Sequence, residues 1–253
     1  MKKIYALNGA AHPGYGETTA RQLMEAGNKV IGFYSKEDEA NAYSLAKQFD
    51  NESLKLVCID ITNLQDLKEK LQGIECRLDG FVNAEYMFEM EYTDKFDYDL
   101  SQKIFTANYH APMMMAIELK KSMKKHSSIV FITSTESERG SFGGISYAAS
   151  KAAIHNLIKS LACNWGKKDQ IRVNAIAAGW IGGEDDKGGA FDVSMNITPL
   201  GRLGKANEIA DAVEFLLSDK SNFINANVLF VDGGYLGVDE ISKYEFNALR
   251  NEI

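Results

Sequence analysis

The chain has 253 residues, of which 45% are hydrophobic and 25% charged, and it carries a net charge of −7 at pH 7. This much apolar content can bury a substantial core, which excludes a disordered chain, and the negative charge disfavours nucleic acid or an acidic membrane surface as partner because either would approach a like-charged body. Cys58, Cys76 and Cys163 lack metal-ligand spacing and read as small structural hydrophobes, so no metal site is expected.

The N-terminus runs through Met1-Lys2-Lys3 straight into a strand-like segment, and nowhere do ~18 apolar residues follow one another, so a cytoplasmic protein is expected. Short apolar runs bounded by turn residues recur at Ile4–Leu7, Val30–Phe33, Leu56–Ile59, Gly80–Asn83, Ile129–Thr133, Val173–Ala177 and Val228–Val231, and read as seven buried strands. Helical periodicity lies between most of them. Helices are expected from about Glu17 to Ala26, from Leu100 to Met123, and from Tyr147 to Trp165, where Ile154, Leu157, Ile158, Leu161, Ala162 and Trp165 line one face. Met113 to Met115 fall in the second of these and read as core packing. Strand and helix alternate, and parallel strands need right-handed crossovers, so the expected fold is doubly wound α/β: a Rossmann-type, seven-stranded parallel sheet with helices on both faces. Only three prolines occur and no linker divides the composition, which favours one domain over 1–253, with 237–253 as a C-terminal extension.

The first strand leads into Asn8-Gly9-Ala10-Ala11-His12-Pro13-Gly14-Tyr15-Gly16, then a helix. Glycines in such a turn let backbone approach a phosphate at the positive end of the helix, and the start of an alternating chain is where a dinucleotide fold places that loop. Tyr147-Ala-Ala-Ser-Lys151 puts a phenol and an ammonium on one helix face, one turn apart. A lysine beside a phenol favours the phenolate, which makes Tyr147 a candidate general acid or base. Ser134 stands at the end of the strand Ile129–Thr133, where a parallel sheet opens its ligand crevice, and its hydroxyl suits holding a substrate oxygen.

From about Lys3 to Tyr235 the sequence resembles the short-chain dehydrogenase/reductase family. The spacing of Ser134, Tyr147 and Lys151 is similar to the family's catalytic residues, and Asn108 in Thr-Ala-Asn-Tyr-His is similar to its proton-relay residue. Asp60 in Cys-Ile-Asp-Ile-Thr, Asn83 in Asp-Gly-Phe-Val-Asn-Ala and the stretch Ile171 to Gly179 also match. Pro199-Leu-Gly-Arg-Leu-Gly204 and Val231-Asp-Gly-Gly-Tyr235 look most like the β-ketoacyl-carrier-protein reductase subgroup. The resemblance implies an NAD(P)-dependent oxidoreductase in which Tyr147 gives a proton to a carbonyl oxygen as hydride arrives, Ser134 orients that carbonyl, and Asn108 positions a relay water. Lys151 would bind the nicotinamide ribose and depress the tyrosine pKa. The implied cofactor contacts are Gly9, Gly14, Tyr15, Gly16, Ser35, Asp60, Ile61, Asn83, Ala84, Tyr147, Lys151, Gly179 and Ile181, with Asp60 and Ile61 at the adenine. It also implies a homotetramer built on the helices Leu100–Met123 and Tyr147–Trp165 and on the segment from Phe223 to Tyr235.

Three stretches depart from the family pattern. Four residues, ending in Pro13, separate Gly9 from Gly14; Asn83-Ala84-Glu85-Tyr86 puts a tyrosine where the family has glycine; and Trp180-Ile181-Gly182-Gly183 lacks a threonine that commonly binds the nicotinamide carboxamide. After the second strand no acid stands where NAD enzymes carry one, so Ser35 or Lys36 tilts the choice slightly toward NADP, although Glu37 and Asp38 follow at once. The segment from Trp180 to Thr198 is rich in glycine and acids, reads either as a lid or as a solvated loop, and favours a small neutral substrate. The competing reading is a catalytically weak member serving as a nucleotide sensor or scaffold; the complete Ser134, Asn108, Tyr147 and Lys151 set favours the enzyme.

Overall fold

Alternate residues of each apolar run are claimed by opposite faces of one sheet, which is why the runs form strands rather than helices. In a computed structural model, which describes residues 2–182, 186 and 188–251, the strands are β1 (Ile4–Asn8), β2 (Lys29–Tyr34), β3 (Leu54–Cys58), β4 (Leu78–Asn83), β5 (Met123–Ser134), β6 (Arg172–Ala178) and β7 (Val228–Val231). The described helices are α1 (Tyr15–Glu25), α2 (Glu39–Gln48), α3 (Leu64–Gln72), α4 (Tyr98–Phe105), α5 (Ala111–Lys120), α6 (Ile145–Asp169), α7 (Ala190–Ile197), α8 (Ala206–Leu217) and α9 (Glu240–Asn251). The strands form one all-parallel sheet in the order β3-β2-β1-β4-β5-β6-β7, the doubly wound α/β fold expected from the sequence.

Ala6, Phe81, Ile129 and Phe131 face a core shared with α3, α5 and α6, while Tyr5, Leu7, Val130 and Ile132 face one shared with α1, α2 and α8. Phe81 and Phe131 meet edge to face at 6.2 Å between ring centres. Each such fully buried side chain contributes about 1.5–3 kcal/mol of transfer free energy. Among the described residues no helix is long and apolar enough to cross a membrane.

Three expectations need correction. The helix expected over Leu100–Met123 is α4, a wider π-type turn at Thr106–His110, then α5, which stops at Lys120. Pro112 lies in the first turn of α5 and has no N–H to return to the carbonyl of Asn108, so the regular ladder is interrupted there. Met123 instead opens β5, which begins well before Ile129. Cys58 and Cys76 are partly buried, as structural cysteines would be, but Cys163 is exposed on α6.

The segment from Trp180 to Thr198 is not a plain loop, because its second half is α7, whose Phe191 meets Trp180 edge to face at 6.2 Å. The expectations resting on Gly183, Glu184, Asp185 and Lys187 lie outside the described residues. The C-terminal extension forms α9, tied to α7 by Lys243 Nζ donating to the Asn196 carbonyl at 2.7 Å.

The strand order reverses on either side of β1, between β2 and β4. Connections leaving the C-terminal ends of these strands diverge, and a crevice opens there.

Candidate active site

The floor of the crevice is a short polar chain. Asn8 Nδ2 donates to Asn83 Oδ1 at 2.8 Å, and Asn83 Nδ2 donates to the Glu85 carbonyl at 3.2 Å. The Ala84 N–H donates to the Asn8 carbonyl at 2.9 Å. Asn83 and Ala84 are therefore buried supports beneath the crevice rather than exposed contacts. Above them the glycine loop is closely fitted. A Cβ on Gly9 would lie 2.7 Å from the Glu85 nitrogen, and one on Gly16 would lie 2.2 Å from the Gly9 oxygen. Gly14 differs: it begins α1 at φ +92° with open space around it, and no side chain caps the helix. An uncapped N-terminus facing open space is suited to an anion.

At the other end of the crevice β5 delivers Ser134 and the first turn of α6 delivers Tyr147. Ser134 Oγ accepts the Glu136 N–H at 3.2 Å, and Ser137 Oγ donates to the Ser134 carbonyl at 2.6 Å, fixing the turn that carries it. Ser134 shares this end of the crevice with the Tyr147 phenol and favours its ionised form. The start of α6 is anchored by buried Glu91, which accepts from Ser146 N–H and Ser146 Oγ, each at 2.6 Å.

Lys151 is 2% exposed. Its ammonium donates to the Ile132 carbonyl at a long 3.4 Å, and burial pulls its pKa down to about 8. The expectation that Lys151 would depress the Tyr147 pKa is not met in this arrangement. Burial, reinforced by Tyr86, holds the Tyr147 phenol well above the ordinary phenol range, and the opposing effect of Ser134 is smaller. Desolvation of the phenolate outweighs the electrostatic help available to it.

Tyr86 and Phe88 both pack edge-on to Tyr147, Phe88 at 5.2 Å, and Tyr86 reaches further. Its ring lies edge-on to His12 at 5.0 Å and to Tyr147 at 6.1 Å, and stacked on Tyr15 at 6.2 Å. The Lys151 ammonium sits 5.4 Å from its centre. One aromatic ring thus bridges the glycine loop and the Tyr147–Lys151 pair, and Tyr15 lies partly buried beside it with its phenol also held well above the usual range.

The crevice has a volume of about 990 Å³. Of the residues singled out in the sequence, Tyr15, Ser35, Asp60, Ile61, Ser134, Tyr147, Gly179 and Ile181 line it. Asn108 does not. Its side chain is buried and spent on the Met87 backbone, accepting from the N–H at 2.7 Å and donating to the carbonyl at 2.9 Å, with a further donation to Ser150 Oγ at 3.2 Å. Asp60 Oδ1 accepts from Thr62 N–H at 2.8 Å, a local turn contact at the rim.

The lining also includes residues not foreseen as site residues. Phe88, Trp180 and Tyr235 form an aromatic mouth beside Arg139, whose guanidinium stacks 4.5 Å over the Tyr235 ring. His12, Asp38 and Glu85 line the phosphate-loop end. His12 Nδ1 stands 3.4 Å from Asp38 Oδ2 and 3.3 Å from Glu85 Oε1. Burial works against a charge on His12, but Glu85 and then Asp38 outweigh it and raise the imidazole pKa. The acid missing from the end of β2 is therefore present as Asp38, turned inward to the glycine loop.

A family model described as Enoyl-(Acyl carrier protein) reductase matches residues 9–236. The 3-oxoacyl-[acyl-carrier-protein] reductase FabG of Escherichia coli strain K12 is 30% identical over 237 residues, covering 92% of this chain and 96% of that protein. The 2-dehydro-3-deoxy-D-gluconate 5-dehydrogenase of Bacillus subtilis strain 168 is 28% identical over 246 residues, covering 93% and 96%. A short chain dehydrogenase family protein from Francisella tularensis superposes with a TM-score of 0.82 at 26% identity, covering 94% of this chain and 100% of that one.

Proposed function

Because the chain belongs to the short-chain dehydrogenase/reductase family, an NAD(P)-dependent oxidoreductase family, we propose that it interconverts a carbonyl and an alcohol on a small neutral metabolite with Ser134, Tyr147 and Lys151 as its working residues. The observation that carries this reading is the convergence of the Ser134 hydroxyl and the Tyr147 phenol at one end of the crevice, with Lys151 one helical turn beyond.

The crevice suits a dinucleotide along most of its length. Gly14 and the uncapped start of α1 offer an anion cradle, and Ser35, Lys36, Asp60 and Ile61 offer an adenosine end. The nicotinamide end fits once the Tyr86 ring leaves Lys151. NADP is favoured, because Ser35 and Lys36 line the crevice; Ser35 Oγ donates to Asp38 Oδ2 and Lys36 pairs with Glu39, and an additional phosphate would take the place of these acids. When bound, the nicotinamide exchanges a hydride with the carbonyl carbon.

The protein's own part is proton transfer and placement. A phenol held above its ordinary pKa stays protonated at neutral pH, so Tyr147 is ready to donate to a carbonyl oxygen as charge develops on it. Ser134, at the same end of the crevice, holds that oxygen by a hydrogen bond. Once the Tyr86 ring has left Lys151, the ammonium can turn to stabilising the phenolate left behind. Asn108 acts by fixing Met87 and the wall of the crevice. The aromatic mouth suits an uncharged substrate with an apolar flank. The exposed Phe215, Phe223 and Phe230, near the outer edge of β7, fit the homotetramer that the family resemblance implies.

The test is thermal unfolding with each dinucleotide in turn. A ligand that binds only the native state, present at about a hundred times its Kd, stabilises by ~2.7 kcal/mol. A rise in Tm with NADPH larger than with NADH is expected; no shift with any nicotinamide dinucleotide would favour the scaffold reading.

A further inference from the structure

We propose that His12, Asp38 and Glu85 form a binding site for one divalent first-row transition-metal cation at the phosphate-loop end of the crevice. The three residues come from the connections after β1, β2 and β4, neighbouring strands at the point where the strand order reverses. One donor atom from each lies within 4.8 Å of the others.

The geometry is poor for hydrogen bonding and good for a shared cation. His12 Nδ1 carries at most one hydrogen, yet it faces a carboxylate oxygen at 3.3 Å and another at 3.4 Å. Both distances are longer than the ~2.7–3.2 Å of a well-made N–H···O bond. Two ligands held ~2.1 Å from one metal, with ~90–110° between them, stand ~3.0–3.4 Å apart. The imidazole–carboxylate separations already have that spacing.

The charges point the same way. Glu85 is 3% exposed and Asp38 8% exposed, and among the described residues neither makes an ion pair with lysine or arginine. One imidazolium balances one carboxylate, and the other has only the Lys151 ammonium, which acts on Glu85 from a distance without forming an ion pair. Independently, Glu85 Oε2 is buried and has no hydrogen-bond partner. An unpartnered carboxylate oxygen in a buried place is costly, and a cation removes the cost.

One nitrogen and two carboxylate oxygens are a donor set for Mn²⁺, Zn²⁺ or a neighbouring ion, with positions left open toward the crevice that all three residues line. A cation here would also cancel the negative charge met by a phosphate arriving at Gly14, a consequence that rests on the dinucleotide reading above.

Chelator-stripped protein titrated with Mn²⁺, followed by electron paramagnetic resonance and by calorimetry with Zn²⁺, tests the site. One ion per chain is expected, weakened at least tenfold in Glu85→Gln and in Asp38→Asn, two variants so that a folding failure in one does not remove the test. No binding of either ion up to about 1 mM, or binding unchanged in both folded variants, would overturn the proposal. NADPH titrated with and without Mn²⁺ separates the two readings. Tighter NADPH binding with the ion, lost in Glu85→Gln, is expected; Mn²⁺ bound as described with no NADPH binding in either state would overturn the dinucleotide reading and leave the metal site standing.

Discussion

Tyr86→Ala should lower the stability of the ligand-free protein and tighten its grip on NADPH at the same time. The Tyr86 ring makes three aromatic contacts, with His12, Tyr15 and Tyr147, and lies near the Lys151 ammonium. Aromatic pairs are worth about 0.5–1.5 kcal/mol each beyond area burial, and a cation over a ring about 0.5–2 kcal/mol. At separations of 5.0–6.2 Å the lower half of each range applies, and moving the ring off Lys151 therefore forfeits roughly 2–4 kcal/mol. If a nicotinamide ribose is to reach Lys151, that cost is subtracted from binding, and at ~1.4 kcal/mol per tenfold it weakens the affinity by about one to three orders of magnitude. Removing the ring removes the displacement cost, so Kd for NADPH should fall at least tenfold while unfolding free energy drops by about 2–3 kcal/mol. Calorimetric titration gives the first quantity and denaturant unfolding the second. Tyr86→Phe, which keeps the ring, should change both only slightly. An unchanged or larger Kd in the alanine variant would refute the reasoning, because the ring would then be part of the bound site and not a competitor for it.

Tyr147→Phe deletes only the titrating hydroxyl, so kcat should fall by about 10²–10⁴ with NADPH affinity nearly unchanged; retention of more than about a tenth of kcat removes Tyr147 from the proton-donor role. Lys151 gives a pH signature: folding lowers its pKa from 10.5 to about 8, so between those values the native state binds fewer protons than the unfolded one and stability rises with pH. Comparing Tm of wild type and Lys151→Met from about pH 7.5 to 9.5 should show the wild type gaining on the variant, and a constant difference would contradict the buried-ammonium picture. Gly16→Ala brings a Cβ to 2.2 Å from the Gly9 oxygen, so the loop must shift and NADPH affinity should fall more than tenfold; Gly14→Ala, open around its Cβ but at φ +92°, should cost about 1–2 kcal/mol of stability from backbone strain. Sedimentation should show a tetramer at micromolar concentration, and a stable monomer would leave Phe223 and Phe230 as an unexplained apolar patch.

The sheet was legible because each strand is a short apolar run whose burial depends on local alternation, and the Tyr147–Lys151 pair because one helical turn joins residues four apart. Reading failed where the deciding partner is distant or absent from any period. The polar start of β5 at Lys124-Lys125-His126 looks like a helix end; Met123 pairs with Leu78 and Ser128 with Gly80, and the residues between them form an irregularity in the pairing that no periodicity announces. Asn108 stands in family register, but what its side chain holds is the Met87 backbone, set by how the β4 connection crosses α5. The direction of the Tyr147 pKa depends on burial and then on the neighbouring Tyr86, which no spacing encodes.

The departures at His12-Pro13 and Glu85-Tyr86 stand in separate stretches of the sequence, where loss and adaptation read alike, and their placement argues for adaptation. A site that decays leaves unmatched groups, since each substitution is tolerated singly. Here Tyr86 packs on His12 from the altered glycine loop, and Glu85 meets the same imidazole, which meets Asp38 from the end of β2. Residues foreign to the family pattern contact one another across the point where the strand order reverses, and such agreement between separate segments is what a selected arrangement shows. The unmatched group in the set is Glu85 Oε2, which is buried without a hydrogen-bond partner on the carboxylate that meets His12. The altered loop is thus better described as a rebuilt phosphate end, with its own aromatic occupant and its own charge requirement, than as a family site with parts missing.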